Sequence, residues 1–103
     1  MFWKKKKSAT DELIDAIEDK IINNVNGWMW VTKEKAFLYG NIWLYMRPGQ
    51  WTNDAWVPTI DIGINGGRLD LTGAQRERVH GLIETLKALK GLIHIYNIHN
   101  ATT

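Results

Sequence analysis

The sequence predicts an α+β fold: an N-terminal amphipathic helix, an antiparallel sheet of three to five strands, and a C-terminal helix packed on one sheet face. Apolar residues recur at helical spacing near both ends of the chain. Between them, aromatic and β-branched residues alternate with polar ones and are interrupted by glycine, proline and asparagine. Because 103 residues suffice for one modest core, we expect a basic flexible tail over residues 1–9 and a single domain over residues 10–103.

The first helix is predicted over residues 10–25. Asp11 and Glu12 suit its first turn, and Thr10 is expected to cap it. Its apolar stripe comprises Leu13, Ile14, Ile17, Ile21, Ile22 and Val25. Asn26-Gly27 should then end the helix and turn the chain into the sheet.

Strand-like segments fill residues 27–71. The turn-formers that separate them are Gly40-Asn41, Pro48-Gly49, Asn53-Asp54 and Asn65-Gly66-Gly67. Alternation places Ile42, Leu44 and Met46 on one face and Trp43, Tyr45 and Arg47 on the other. Ile60, Ile62 and Ile64 also share a face. We therefore predict an aliphatic core face and an opposite face that carries aromatic and basic side chains.

The second helix begins at a predicted capping box formed by Thr72 and Gln75. Its apolar stripe comprises Val79, Leu82, Ile83, Leu86, Leu89 and Ile93. The residues expected mostly off this stripe are Arg76, Glu77, Glu84, Lys87 and Lys90. After Gly91 the segment "LIHIYNIHN" fits either more helix or a final strand.

Composition favours a soluble, cytoplasmic protein. The chain has no cysteine, and no apolar run reaches the ~20 residues of a membrane span. No secretory signal is apparent. The net charge of +2 is segregated, with four lysines at residues 4–7 followed by an acidic first helix. A lysine-rich tail attracts phosphates or acidic surfaces, and it also simply aids solubility.

Residue patterns for catalysis are weak. His80, His94 and His99 have no convincing partners or metal-ligand spacing. Asp61 and Asp70 flank a glycine turn, which is compatible with paired carboxylates across a hairpin, although solvated carboxylates are the commoner case. The "GINGG" turn lacks the lysine and the following helix of a phosphate-binding loop. We expect a non-catalytic binding protein with no cofactor and no metal.

Over about residues 40–89 the chain contains, in order, "NIWLYMR", "PGQWTNDAW", "VPTIDIGI", a glycine turn, "RLDLT" and a capped helix. This order resembles the single-stranded-DNA-binding domain of the transcriptional coactivator family known as positive cofactor four. The resemblance implies a curved antiparallel sheet followed by a helix, a homodimer, and single strands laid across the sheet. Trp43, Tyr45 and Arg47 match its strand of outward residues, and Trp51 matches an aromatic of the next turn.

The match extends through the junction of Leu69, Leu71, Thr72, Gln75 and Val79. The chain departs from the family in two places. In the family, lysines usually precede the glycine of the strand before the helix, whereas residues 64–68 of this chain are "INGGR". The family also usually has an aromatic residue in the first turn of the helix, and this chain has Arg76 there.

Aromatic and basic side chains on one sheet face suit single-stranded nucleic acid, because bases stack on the rings while cations neutralise phosphates. The predicted site comprises Trp43, Tyr45, Arg47, Trp51, Arg68, Lys33 and Lys35. Trp28 and Trp30 are further candidate platforms, although about half of the tryptophans should serve the core.

Two other functions fit the same residues. The outward set, with Trp56, also suits a protein interface, as in a small phage-type or bacterial accessory protein that binds and inhibits a host protein. Binding of a nucleotide-like small molecule at a dimer interface is the third possibility.

Overall fold

The computed structural model describes residues 7–52 and 55–92, with the backbone alone for residues 47–52 and 55–59. Its helices are α1 (Ala9–Asn23) and α2 (Gly73–Lys90), and its strands are β1 (Met29–Val31), β2 (Ala36–Tyr39), β3 (Ile42–Thr52), β4 (Ala55–Ile64) and β5 (Gly67–Arg68). The five strands form one antiparallel sheet in chain order. The predicted α+β fold, with one helix before and one after the sheet, is confirmed.

Helix α1 begins at Ala9, one residue before the predicted range, and its cap lies two residues earlier than expected. Ser8, and not Thr10, is its cap: the Ser8 hydroxyl accepts a hydrogen bond from the Asp11 amide at 3.1 Å. Thr10 lies inside the helix. The helix ends at Asn23, and a single turn of 3-10 helix, Val25–Gly27, leads into the sheet.

Hairpin turns form at two of the predicted glycine sites. Gly40 (φ 58°) turns the chain between β2 and β3, whereas Asn65 (φ 52°) and Gly66 (φ 82°) join β4 to β5. Consecutive left-handed residues are typical of a two-residue hairpin, and asparagine and glycine tolerate them best. Asn53-Asp54 lies outside the described residues.

Pro48-Gly49 was predicted to separate two strands, and this is wrong. Strand β3 continues through it, and its pairing with β4 shifts register between Arg47 and Gln50. A bulge accommodates a proline, which has no N–H for the ladder, without ending the strand.

The core lies between the two helices and one face of the sheet, which we call the inner face. Strand β3 contributes Ile42, Leu44 and Met46, and β4 contributes Ile60 and Ile62, all buried as predicted. Ile64 is half-buried against them. The helices contribute Ile14, Ile17, Ile21, Val79, Leu82, Ile83 and Leu86. Both helices therefore cover the aliphatic face.

Three positions depart from the predicted helix stripes. Ile22 and Leu89 are 63% and 55% exposed and lie outside the core. Lys87 is buried instead: its aliphatic stem packs while its Nζ donates to Glu84 Oε2 at 2.9 Å. Ile93, Ile95 and Tyr96, with the rest of the segment after Leu92, lie outside the described residues.

Helix α2 has the predicted ends. The Gln75 amide donates to Thr72 Oγ1 at 3.1 Å and the Thr72 amide to Gln75 Oε1 at 2.9 Å, which completes the capping box. Gly91 closes the other end in the left-handed conformation, with φ 68°. In the part of the chain that is described, neither helix has the length and apolar character needed to cross a membrane.

Candidate nucleic-acid interface

The sheet face opposite the helices, which we call the outer face, carries two adjacent rows of side chains. Residues paired directly across strands share a face, so the register defines the rows. The first row joins Met29, Leu38, Trp43, Gly63 and Arg68. The second row joins Val31, Ala36, Tyr45 and Asp61. Among the described residues, the buried helix side chains all pack on the inner face, and the outer face has no helix over it.

Trp43 and Tyr45 form a stacked pair on the outer face. They are two residues apart on β3 and therefore lie on the same side of the strand. Their ring centroids are 5.9 Å apart and their planes differ by 13°. Both side chains are half-buried, and Trp43 is absent from the residues packed against the core. The predicted outward orientation of this pair is confirmed.

Gly63 provides the space into which the Tyr45 ring leans. It lies directly opposite Trp43, and a Cβ atom at this position would come within 2.8 Å of Tyr45 Cε2 and 3.4 Å of Trp43 Cβ. Any larger residue would displace the tyrosine ring. Because Gly63 has no side chain, the Tyr45 ring can occupy the position in which it stacks with the Trp43 ring.

Arg68 joins the pair from the neighbouring strand β5. Its guanidinium carbon is 4.5 Å from the centroid of the Tyr45 ring, which is within cation–π range. Its Nη1 also lies 3.4 Å from Asp61 Oδ2. The Arg68 side chain is 45% exposed. The arrangement holds a cation beside the rings and still leaves nearly half of it open to solvent.

Lys33 and Lys35 lie in the turn between β1 and β2. Lys33 is exposed and Lys35 is half-buried with φ 54°. The Lys35 carbonyl accepts a hydrogen bond from the Met46 amide at 2.8 Å, which fixes this turn beside the middle of β3. The two lysines are thus next to the strand that carries Tyr45.

Of the seven predicted site residues, Trp43, Tyr45 and Arg68 are brought together on the outer face. Lys33 and Lys35 flank that group. The side chains of Arg47 and Trp51 lie outside the described residues, although their backbones belong to β3 and pair with Thr59 and Trp56.

Trp28 and Trp30 do not serve as platforms on this face. Trp28 is 2% exposed and belongs to the core, where its ring centroid is 5.0 Å from that of Tyr39. Its Nε1 has no hydrogen-bond acceptor within the described parts of the chain. Trp30 meets Phe37 edge-on at 5.0 Å on the inner face. The expectation that some tryptophans serve packing is confirmed for these two.

Sequence reasoning missed the roles of Asp61, Met29 and Leu38. Asp61 was considered as a partner of Asp70, and it instead faces Arg68 beside Tyr45. Met29, which is 60% exposed, and Leu38 extend the Trp43 row toward the sheet edge. The signal for these residues is the strand register, which places them opposite residues already singled out.

Groups for catalysis are sparse among the described residues. His80 Nε2 lies 3.9 Å from Glu84 Oε2 on the exposed side of α2, far from the outer face in the fold. In residues 7–52 and 55–92, no cluster of three or more His, Asp or Glu side chains has the geometry to hold a metal ion. His94 and His99 lie outside the described residues.

Comparison with protein-family models, with curated proteins and with solved structures finds no match to this chain. The resemblance to the positive cofactor four family therefore stays a prediction.

Proposed function

We propose that this protein binds single-stranded nucleic acid on the outer face of its sheet, without catalysing a reaction. The observation that carries the proposal is the stacked pair Trp43 and Tyr45, joined by the half-exposed cation of Arg68. A base stacked on an aromatic side chain contributes about 1–3 kcal/mol whatever its sequence, and arginine beside the ring neutralises phosphate.

The charge distribution supports binding of modest strength. The outer face has Arg68, which lies beside Asp61 and is flanked by Lys33 and Lys35, whereas the acidic residues of α1 lie on the helical side. Few cations face the strand, so the affinity should depend on stacking as well as on salt. A homodimer, which the sequence resemblance implies, would double the aromatic surface and belongs to the same proposal.

The test is fluorescence anisotropy of a labelled oligothymidine of about eight nucleotides, a length within the range one small domain covers. Titrations at about 50 and 200 mM salt report the electrostatic contribution. Trp43→Ala should weaken binding by roughly 5- to 150-fold, which corresponds to the stacking energy of one base. Its far-UV circular dichroism should match wild type, because Trp43 packs outside the core.

Matched controls lie on the helical side. Leu89→Ala also removes an exposed apolar side chain and should leave the affinity unchanged. Arg68→Gln should weaken binding and reduce the slope of log affinity against log salt by roughly 0.7, whereas Arg76→Gln on α2 should alter neither as strongly. An equal loss of affinity from substitutions on the outer face and on the helical side would refute the proposal. Absence of binding at the lower salt concentration would also refute it.

A protein partner is the second candidate, and Met29 is the observation that favours it. This side chain is 60% exposed and lies in one row with Leu38 and Trp43. Methionine, tryptophan and arginine are enriched in protein interfaces. Met29→Lys should prevent capture of a specific host protein if this function is correct, and it should leave oligonucleotide affinity equal or higher if the first proposal is correct.

A further inference from the structure

We infer that Asp61 gives the outer face a preference for guanine in the strand it binds. This inference rests on the proposed nucleic-acid function and adds base selectivity to it. It is carried by the position of one carboxylate among the side chains that would hold a base.

Asp61 lies beside the aromatic pair in the sheet. It pairs directly with Tyr45 across β3 and β4, so both side chains rise from the same face of the sheet. Its side chain is 17% exposed. Asp61 is the one acidic residue of the two outer rows, which otherwise carry apolar, aromatic, glycine and arginine residues.

A carboxylate on a face that meets phosphates is unfavourable for affinity, because like charges repel. Its contact with Arg68 spans 3.4 Å, which is long for a charge-assisted hydrogen bond. An ionised carboxylate has about four acceptor positions, so this long contact leaves it with capacity to accept more hydrogens. The same group can therefore accept hydrogen bonds from a ligand while it still neighbours Arg68.

Guanine is the base whose donors match a carboxylate. Its Watson–Crick edge presents the N1–H and the N2 amino group side by side, and the two carboxylate oxygens can accept both. Cytosine and adenine each offer one amino group on that edge, and thymine or uracil offers one imino hydrogen. Unstacked bases in single strands are read along this edge by protein side chains. Because Asp61 lies directly across the strands from Tyr45, a base held at the aromatic pair would lie beside this carboxylate.

The experiment compares short oligothymidines that differ at one central position, which is dT, dC, dA or dG. A single guanine avoids four-stranded structures. The wild-type protein should bind the guanine oligonucleotide roughly 5- to 100-fold more tightly than the others, the range typical of a bidentate contact to a base. Deoxyinosine, which lacks the N2 amino group, should remove most of that preference without any change to the protein.

Asp61→Asn should abolish the guanine preference, because an asparagine amide cannot accept both guanine hydrogens as a carboxylate does. Asp70→Asn is the matched control: Asp70 is exposed, and it lies beyond β5 and outside the two rows. It should keep the preference.

The outcomes separate the two ideas. Equal affinity of wild-type protein for all four oligonucleotides would overturn the inference while the proposed function stands. Binding of none of them would overturn both. Retention of the preference by Asp61→Asn, or by wild type with deoxyinosine, would show that another group reads the base and would also overturn the inference.

Discussion

Trp43 and Tyr45 share the outer face because strand geometry alternates side chains, and their mutual stacking depends on a glycine in the next strand. Gly63 is buried, and its missing Cβ provides the volume that the Tyr45 ring uses. The arrangement of the aromatic pair thus depends on a residue with no side chain. This dependence makes Gly63 a sensitive position at which to alter the face.

Gly63→Ala should reduce oligonucleotide affinity by at least several-fold. The added Cβ would lie 2.8 Å from Tyr45 Cε2, a distance that real Cβ contacts do not show, so the ring must move away from Trp43 and Arg68. The core on the inner face is untouched, and far-UV circular dichroism should be unchanged. Near-UV circular dichroism should report the altered aromatic packing, and anisotropy should report the affinity.

Gly81→Ala is the control for that substitution. A Cβ at Gly81 meets no atom within 4 Å, and this residue lies inside α2. It should keep wild-type affinity and stabilise the fold by about 0.5–1 kcal/mol, since alanine favours a helix interior over glycine. An unaltered near-UV spectrum and affinity in Gly63→Ala would contradict the assigned ring positions.

The side of the sheet on which a residue lies was predictable where the residue belongs to a periodic pattern of side chains. Alternation along β3 was enough to place Trp43 and Tyr45 outward. Trp28 follows a 3-10 turn and precedes a strand of three residues, so no period indicated that it is buried. The contact between Asp61 and Arg68 depends on the β4–β5 register, which a sequence pattern does not specify.

Hydrogen bonds between polar and charged side chains join the two helices at one edge of the core. Arg78 on α2 donates to Asp15 at 2.7 Å and Glu18 at 3.2 Å, and Gln75 donates to Asp11 at 3.0 Å. Lys7 also donates to Asp15. The hydrogen bonds from Lys7 and then from Arg78 hold the pKa of the Asp15 carboxyl below its ordinary value of 3.8, despite an opposing effect of desolvation. The same Asp15 contact raises the pKa of Arg78.

This network predicts a pH-dependent stability. A carboxyl whose pKa is lowered by folding stabilises the native state fully above its unfolded pKa, and this contribution disappears as the pH falls through the folded pKa. Wild type should therefore be more stable than Asp15→Asn at neutral pH, and the difference should shrink as the pH drops below the ordinary value of 3.8. Urea unfolding midpoints measured between about pH 7 and pH 2 provide the test.

Glu12→Gln supplies the comparison for Asp15→Asn, because Glu12 is an exposed acid on the same helix. Its midpoints should follow wild type more closely. If the difference in urea unfolding midpoint between wild type and Asp15→Asn persists unchanged to the lowest pH, titration of Asp15 is not its source.

The ends of helices and strands were only partly predictable. The two ends of α2 were predictable from the Thr72–Gln75 capping box and from Gly91, because each motif has one arrangement that satisfies the free backbone groups. Ser8 and Thr10 both carry a hydroxyl suited to an N-cap, and local preference does not decide between them. Pro48-Gly49 is equally suitable for a turn and for a bulge, and only the pairing of β3 with β4 distinguishes the two.

The molecule as a whole has two chemically different sides. The helices, with the acidic residues of α1, cover the inner face of the sheet, whereas aromatic residues and Arg68 lie on the outer face. The small net charge of +2 conceals this separation. The fold thus places the acidic residues of α1 on the side of the sheet opposite the aromatic pair.

The central claim is that single-stranded nucleic acid lies on the outer face, and NMR titration of the ¹⁵N-labelled protein with oligothymidine tests it most directly. The indole N–H resonance of Trp43 and the amides of Tyr45 and Arg68 should shift in proportion to binding. The indole N–H of Trp28, buried in the core, and the amides of Glu12 and Arg76 on the helical side should stay in place. Shifts confined to the helices, or none at saturating oligonucleotide, would contradict the claim.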